Sequence, residues 1–342
     1  MALNQANSLS LAVIGAGAWG TALAIHLVRA GHKVNLWTHS QQQAELLQAE
    51  RVNAKYLKGV EFPASLVVSS QLSDSLAGVD GVLVVVPSHV FRDTLTQIHK
   101  LMPDNQSVHF AWATKGFEAD TAFMLHQVVQ QELGEQQPMA VLTGPTFADE
   151  VAKGLPTAMV SSSETPQEAE FWAKAFHHAN FRMYTQQDIV GVEIGGAYKN
   201  IMAIATGLSD GLNLGANARA ALVARGMAEM MRLGQALGGQ AETFMGLAGL
   251  GDLVLTCTDD LSRNRRFGLQ LARSNSSIDE VIASIGQVVE GVKAVKVVKQ
   301  IADRYQLDLP IMEQVYRIVV GECSPKEAVK ELMARDGRSE SE

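Results

Sequence analysis

Short apolar runs alternate with helix-like segments through the first half of the chain. Residues 11–14, 81–86 and 139–142 are apolar almost throughout, which is typical of strands buried on both faces of a parallel sheet. Helical patterns lie between them, for example at 41–51 and 90–101. Further strands are expected at 33–37, 66–68, 107–113, 156–161 and 181–184. The alternation predicts an α/β domain built on a doubly wound parallel sheet.

The pattern changes near Asp188, beyond which a period of 3.6 residues dominates and strand signals are almost absent. Helices are expected at 189–207, 218–237, 265–273, 292–305, 310–320 and 325–334. We therefore predict an α/β domain over residues 1–187, in which 1–8 form a disordered tail, and an all-α domain over 188–335. The charged residues 336–342 are expected to form a second tail.

A glycine motif follows the first strand directly. Gly15-Ala16-Gly17-Ala18-Trp19-Gly20 lies between the apolar run 11–14 and a helical segment, and a second strand follows at 33–37. This strand-helix-strand setting makes the G-x-G-x-x-G pattern a dinucleotide-binding signature of a Rossmann-like domain. Gly15 allows the tight turn, Gly17 lets backbone approach a pyrophosphate, and Gly20 lets the helix pack closely on the strand. The helix N-terminus would attract the phosphates.

The end of the second strand bears on the choice of cofactor. An NAD-preferring site usually has Asp or Glu there to bind the ribose 2′-hydroxyl. Here the strand ends in Trp37-Thr38-His39-Ser40, without a carboxylate, and two cations follow at Arg51 and Lys55. We expect NADP to be used, or both NADP and NAD, with NADPH favoured.

The composition excludes several classes of binding partner. A net charge of −8 argues against nucleic acid as the main partner, and no apolar run reaches the roughly 18 residues of a membrane span. Cys257 and Cys323 give neither a disulfide framework nor a metal-binding spacing, so no metal site is predicted. The N-terminal residues lack the pattern of a signal peptide. We expect a cytoplasmic protein acting on a small molecule, with a homodimer as the default assembly.

Two lysines are candidates for chemistry. Lys115 follows a predicted strand, beside Gly116, at the sheet edge where α/β proteins bind ligands. Lys199 follows the glycine pair Gly195-Gly196 within an apolar helical segment, where it could transfer a proton to or from a carbonyl oxygen. A solvated loop lysine and an exposed helix lysine are the respective alternatives.

A polar cluster follows in the second half. Asp252 comes after the glycine-rich segment 245–251, and Thr256 lies four residues later, on the same face if the segment is helical. Asp252 either takes part in a site or caps a helix. Ser262-Arg263-Asn264 precedes a predicted helix, and it combines a helix N-terminus, a guanidinium and an amide into a receptor for an anion.

Taken together, several strings identify a family. They lie at 15–24, 84–89, 112–116, 143–148, 249–253 and 262–268. The chain resembles the bacterial NAD(P)-dependent sn-glycerol-3-phosphate dehydrogenases from about Leu11 to Leu332. Trp19 stands where many relatives have tyrosine or phenylalanine, and Ala18 stands where serine is common.

The resemblance implies roles for individual residues. Lys199 would be the general acid and base, with Lys115 and Asp252 as its catalytic partners. The substrate would be bound by Lys115, Gly144, Thr146, Lys199, Asp252, Thr256, Ser262, Arg263 and Asn264. The cofactor would be bound by Gly15, Gly17, Ala18, Trp19, Gly20, His39, Lys115, Ala148, Arg263, Val288 and Glu290.

The implied reaction is the reversible reduction of dihydroxyacetone phosphate to sn-glycerol 3-phosphate, which supplies the backbone of phospholipids. Hydride would pass from the nicotinamide to the C2 carbonyl, and Lys199 would donate the proton. The nearest alternative is a hydroxy-acid reductase in which residues 262–264 bind a carboxylate. A regulator that senses the dinucleotide without turnover is a more distant alternative, which the acidic charge balance disfavours.

Overall fold

A computed structural model of the chain describes residues 8–102, 108–274 and 276–335. The chain forms two compact units, one of Met1–Glu118 with Phe123–Glu193 and one of Ala119–Ala122 with Ile194–Glu342. Most of the two predicted tails, residues 1–7 and 336–342, lies outside the described residues, as does position 107 at the start of a predicted strand.

Strands occur in the first unit. They are β1 (Ser10–Ile14), β2 (Lys33–Trp37), β3 (Val52–Asn53), β4 (Leu57–Glu61), β5 (Val67–Ser69), β6 (Gly81–Val84), β7 (His109–Trp112), β8 (Met139–Thr143), β9 (Thr157–Ser162) and β10 (Phe181–Gln186). Eight of them form one sheet in the order β10-β9-β8-β7-β6-β1-β2-β5, and β3 pairs with β4 in a separate hairpin. The predicted doubly wound α/β class is confirmed, and the sheet is mainly parallel.

One strand pair departs from the parallel prediction. β9 runs antiparallel to β8, with Leu142 opposite Ser161, while the other described pairs of this sheet are parallel. A parallel connection needs a crossover that returns along the sheet. Residues 144–156 contain only a six-residue helix, so β9 returns directly instead.

Helices surround this sheet. They are α1 (Ala18–Arg29), α2 (Gln41–Glu50), α3 (Leu72–Leu76), α4 (Phe91–Leu101), α5 (Leu125–Leu133), α6 (Ala148–Lys153) and α7 (Pro166–Phe176). Two buried histidines tie α1 and the turn after it to α7. Nε2 of His26 donates to the carbonyl oxygen of Phe176 at 2.7 Å, and Nε2 of His32 donates to that of Ala175 at 2.9 Å.

The described residues of the second unit form only helices, which confirms the predicted all-α class. They are α8 (Ile189–Gly211), whose first turn belongs to the first unit, α9 (Gly215–Ala236), α10 (Ala241–Phe244), α11 (Asp252–Thr258), α12 (Arg263–Arg273), α13 (Ile278–Ile285), α14 (Glu290–Tyr305), α15 (Pro310–Val319) and α16 (Pro325–Met333). A π-helical turn at Leu247–Gly251 leads directly into α11. The sequence did not predict α10, α11 or α13, because short helices beside glycine-rich turns leave little periodicity to detect.

Candidate active site

The glycine motif forms a tight loop between β1 and α1. Gly15 has a φ of +122°, and a Cβ there would lie 2.5 Å from the carbonyl oxygen of Val85. A Cβ on Gly20 would lie 1.9 Å from the carbonyl oxygen of Gly15, so the first turn of α1 rests on the loop itself. A Cβ on Gly17, by contrast, would meet no atom within 4 Å. The loop is therefore packed on the protein side and open at Gly17, as a pyrophosphate would require.

Two amides that the sequence did not single out hold this loop in place. Asn53 is buried, and its Nδ2 donates to the carbonyl oxygen of Ala16 at 3.1 Å and to the Thr21 hydroxyl at 2.8 Å. Nε2 of Gln43 donates to the same carbonyl oxygen at 3.1 Å. The buried Nε1 of Trp19 has no acceptor among the described residues. No motif marks Asn53, because it acts from a two-residue strand outside the main sheet.

The end of β2 carries no acidic side chain. His39 is exposed there, and Thr38 donates its hydroxyl hydrogen to Gln43 at 2.7 Å. Arg51 is already engaged with a neighbouring loop, since its guanidinium donates to the carbonyl oxygens of Pro63, Ala64 and Leu66. Arg51 is thus a structural residue in this conformation.

Further predicted residues lie beyond the carboxyl ends of β7 and β8. The half-buried Lys115 follows β7, and the Thr114 hydroxyl beside it donates to the carbonyl oxygen of Val86 at 2.8 Å, which ties the loops after β6 and β7 together. Gly144, after β8, has a φ of +152°, and a Cβ there would lie 2.8 Å from a backbone oxygen of β9. Because β1, β6, β7 and β8 are parallel, these loops share one edge of the sheet with the glycine motif.

Two other predicted residues follow Gly144. The Thr146 hydroxyl donates to the carbonyl oxygen of Gly144 at 3.2 Å. Ala148 begins α6 and packs partly buried against the core of the unit. Both lie in the short segment that leads from β8 back to β9.

In the second unit, three predicted residues meet in one buried cluster. Nζ of Lys199 lies 2.5 Å from Oδ1 of Asp252 and 3.1 Å from the Thr256 hydroxyl. Lys199 is 6 % exposed and Asp252 is fully buried. Asp252 and Thr256 lie one turn apart on α11 and face Lys199 on α8. The lysine is therefore not a solvated helix residue.

The cluster also resolves the alternative for Asp252. Asp252 is the first residue of α11, and its carboxylate accepts a hydrogen bond from Lys199. No side chain among the described residues caps the N-terminus of this helix. Both side chains of the pair are buried, so the charge of each is offset by the other.

The N-terminus of α12 carries the predicted anion receptor. Ser262 caps the helix, its hydroxyl accepting from the backbone N–H of Arg265 at 3.3 Å. Arg263 donates from Nη1 to Gln287 at 2.9 Å. Burial lowers the pKa of Arg263, although the nearby carboxylate of Glu290 raises it. A half-buried guanidinium beside the positive end of a helix favours an anion.

A network of amides joins α8, α12 and α14. Asn264 donates from Nδ2 to Oδ1 of Asn200 at 2.9 Å and accepts at Oδ1 from the backbone N–H of Gly291 at 2.9 Å. Asn200 directly follows Lys199, so the network fixes the receptor relative to the lysine. The sequence analysis did not assign Asn200 a role, although its place next to Lys199 was a usable signal.

The remaining predicted residues lie where α14 begins. Val288 is half-buried in the segment before the helix, and Glu290 is its first residue. Burial raises the pKa of Glu290, against the opposing effect of Lys293 and Arg263. Both residues therefore lie close to Arg263 in the folded chain.

The described residues contain no group of three or more His, Cys, Asp or Glu side chains arranged to hold a metal ion. No helix among them is long and apolar enough to cross a membrane.

Comparison with known proteins identifies the family. Residues 10–169 match the N-terminal model of NAD-dependent glycerol-3-phosphate dehydrogenase, and residues 188–330 match its C-terminal model. A protein of Hydrogenovibrio crunogenus named glycerol-3-phosphate dehydrogenase (NAD(P)+) is 68% identical over 335 residues, which cover 98% of this chain and 97% of that protein. A protein of the same name from Serratia proteamaculans is 49% identical over 340 residues, 99% of each chain.

A crystal structure of glycerol-3-phosphate dehydrogenase from Coxiella burnetii gives the same result at the level of the fold. It superposes with a TM-score of 0.92 at 46% identity and covers 96% of this chain and 99% of its own. The matches extend over both units. The chain therefore belongs to the NAD-dependent glycerol-3-phosphate dehydrogenase family.

Proposed function

We propose that this protein is the oxidoreductase that reduces dihydroxyacetone phosphate to sn-glycerol 3-phosphate with NADPH or NADH. Family membership supports the reaction, and the buried Lys199–Asp252–Thr256 cluster is the observation that carries it. Reduction of a ketone adds a hydride to carbon and a proton to oxygen. The proton must come from a group that is placed for transfer and can exchange it with a hydroxyl.

The glycine loop fits the cofactor. Gly15 and Gly20 are places where any Cβ would collide with backbone, whereas Gly17 faces open space at the N-terminus of α1. Gly15, Gly17, Ala18, Trp19 and Gly20 would hold the pyrophosphate through backbone N–H groups and the helix dipole. When bound, the reduced nicotinamide supplies the hydride. Further cofactor contacts are assigned to His39, Lys115, Ala148, Arg263, Val288 and Glu290.

The preference for NADPH stays a proposal. β2 ends in Trp37 without a carboxylate behind it, so nothing at that strand end repels a 2′-phosphate. Arg51, which could have bound that phosphate, donates to three backbone carbonyls instead. The exposed His39 is then the basic group nearest the strand end, and we expect dual cofactor use with NADPH favoured.

Lys199 is the proposed proton donor. Its ammonium is buried and bound by Asp252 and Thr256, which fix the direction of Nζ. During reduction it would donate a proton to the oxygen of C2, and during oxidation it would take one back. Asp252 holds the lysine in place throughout. Lys115, in the first unit, is the second proposed catalytic cation.

The phosphate of the substrate is assigned to the N-terminus of α12. A phosphate dianion would offset the charge of Arg263 and accept from donors at that helix end, with Asn264 and Ser262 beside it. Because one end of the substrate would be bound this way, its carbonyl would be held in a fixed position. Gly144, Thr146 and Thr256 are the remaining proposed substrate contacts.

The assay that tests this function compares substrates and cofactors on the purified full chain. Oxidation of NADPH and NADH is followed with dihydroxyacetone phosphate and, separately, with 2-keto acids. We expect turnover with the phosphorylated ketone and little with the keto acids, because a carboxylate lacks the second charge and the reach of a phosphate ester. Turnover of keto acids alone would point to the hydroxy-acid reductase instead, and binding of cofactor without turnover would point to a regulator.

Three wider proposals accompany the reaction. The product would supply the glycerol phosphate backbone of phospholipids, the protein would work in the cytoplasm, and it would form a homodimer. Analytical ultracentrifugation of the full chain tests the last of these.

A further inference from the structure

α8 touches the π-helical turn at one glycine. A Cβ on Gly195 would lie 2.4 Å from the carbonyl oxygen of Ala248 and 3.1 Å from its carbonyl carbon. The obstacle is backbone, so it cannot move aside as the end of a flexible side chain could. The helix therefore lies on the turn at a distance that only glycine permits.

The π-helical turn is itself tightly packed, so it cannot easily move away from α8. A Cβ on Gly249 would lie 2.1 Å from the carbonyl oxygen of Phe244, and the backbone N–H of Gly251 donates to the carbonyl oxygen of Gly246 at 3.1 Å. Asp252 follows immediately as the first residue of α11. A shift of the turn would therefore be passed to the carboxylate of Asp252.

The contact between Gly195 and Ala248 and the ion pair between Lys199 and Asp252 are separated by the same number of residues on both sides. Gly195 precedes Lys199 by four residues on α8, and Ala248 precedes Asp252 by four residues along the π-helical turn and α11. Residues four apart lie on one face of a helix, so the glycine contact lies about one turn from the bond between Nζ and Oδ1.

We propose that Gly195 is a positioning residue, whose missing side chain sets how closely Lys199 approaches Asp252. A methyl group there would require the two backbones to separate by about 1 Å before the contact with the Ala248 oxygen became an ordinary one. The bond of 2.5 Å between Lys199 and Asp252 would then lengthen or rotate. This inference rests on the proposed role of Lys199 in proton transfer.

The test is Gly195→Ala in the full chain, measured by steady-state kinetics over a range of pH. We expect kcat for dihydroxyacetone phosphate to fall roughly 10- to 100-fold, since a misplacement of about 1 Å can cost that much. KM should change less than about threefold, because the anion receptor lies on α12. The alkaline limb of the pH profile should move to lower pH, since an ammonium that is farther from its carboxylate loses its proton more readily.

The control is Gly211→Ala at the far end of the same helix. A Cβ there would lie 2.6 Å from Cβ of Ala272 and 2.8 Å from the Leu269 carbonyl oxygen, so this change also crowds α8. We expect it to lower Tm while leaving kcat and the pH profile unchanged. An equal loss of kcat in both variants, without a shift of the profile, would make Gly195 a stability residue only and overturn the proposal.

Lys199→Ala tests the proton-transfer role of Lys199 separately from the positioning role of Gly195. If it loses turnover while Gly195→Ala keeps the kcat and pH profile of the unmodified chain, the positioning role is wrong and the proton-transfer role stands. If Lys199→Ala itself keeps turnover, the proposed role of the lysine fails, and Gly195 loses its function with it.

Discussion

At the scale of single residues, the site consists of buried charges that need partners. Lys199 and Asp252 are almost inaccessible to solvent, and each would be costly to bury alone. Arg263 is different, because it donates to an uncharged amide, Gln287, and burial lowers its pKa. Of these three charges, Arg263 is therefore the one whose described side-chain hydrogen bond goes to an uncharged group, and it is the one assigned to the substrate phosphate.

Replacing Arg263 should therefore affect binding more than chemistry. For Arg263→Ala we expect KM for dihydroxyacetone phosphate to rise by roughly 100-fold, since a hydrogen bond to a charged group contributes about 1.5–3 kcal/mol and here there is also charge attraction. Steady-state kinetics measures this change in KM. Arg273→Ala, which removes an exposed arginine in the last turn of the same helix, is the matched control and should leave KM unchanged. A fall in kcat at constant KM would contradict the phosphate role.

At the scale of elements, two helix N-termini are the proposed binding sites for phosphates. α1 begins after Gly17, which lacks any side chain, and α12 begins after Ser262, whose hydroxyl accepts one backbone N–H. The first turns of helices carry N–H groups without partners in the helix and a partial positive charge. This supports the proposal that α1 binds the cofactor and α12 binds the substrate.

Substitutions of two glycines in the loop before α1 should have different effects, one on cofactor binding and the other on stability. Gly17→Ala places a methyl in open space, with a φ of −75° that any residue adopts, so we expect nearly unchanged Tm but at least about a tenfold rise in Kd for NADPH. Gly20→Ala should instead lower Tm markedly, because its Cβ would lie 1.9 Å from a backbone oxygen. Thermal unfolding and fluorescence titration measure both. Unchanged NADPH affinity in Gly17→Ala would refute the assignment of the pyrophosphate to this loop.

At the scale of the whole molecule, the chain is acidic, and the proposed binding of anions depends on a few local cations. The net charge is −8, the buried Lys199 is paired with Asp252, and the half-buried Arg263 is the cation proposed to bind the substrate phosphate. The rest of the fold depends on buried polar groups of another kind. His26 is buried and stacks on Phe181 with 4.1 Å between ring centroids, while donating to the backbone of α7.

Acid should therefore weaken the first unit through His26. Burial lowers the pKa of His26 from 6.5 to about 4, partly opposed by the hydrogen bond to Phe176 and aided by the nearby His178 and Arg29. Between pH 6.5 and 4 the unfolded chain therefore binds more protons than the folded chain. Stability conferred by the neutral ring is present above pH 6.5 and is lost as the pH falls towards 4, by up to about 3 kcal/mol. His26→Gln should flatten the dependence of Tm on pH in this window. The exposed His99→Gln should not, and equal slopes in all three proteins would contradict this account.

Much of the site could be predicted from the sequence, but not its contacts. The roles assigned to Lys115, Lys199 and Arg263 come from motifs and family resemblance, and they stay predictions until the variants are measured. Asn53 and Gln287 were missed because each acts through a partner 24 or more residues away in the chain. A local sequence pattern cannot predict hydrogen bonds between residues that are so far apart in the chain. Asn200 was missed although it directly follows Lys199.

The sequence by itself determined the class of both units, the dinucleotide loop and the approximate bounds of the elements it predicted, because these follow from local periodicity and from the steric freedom of glycine. Only the tertiary structure decided that β9 runs antiparallel, that Asp252 binds Lys199 rather than capping a helix, and that Gly195 lies against Ala248. The reason is physical: these outcomes depend on which distant backbones come within a few ångströms of each other, and that follows from packing of the whole chain.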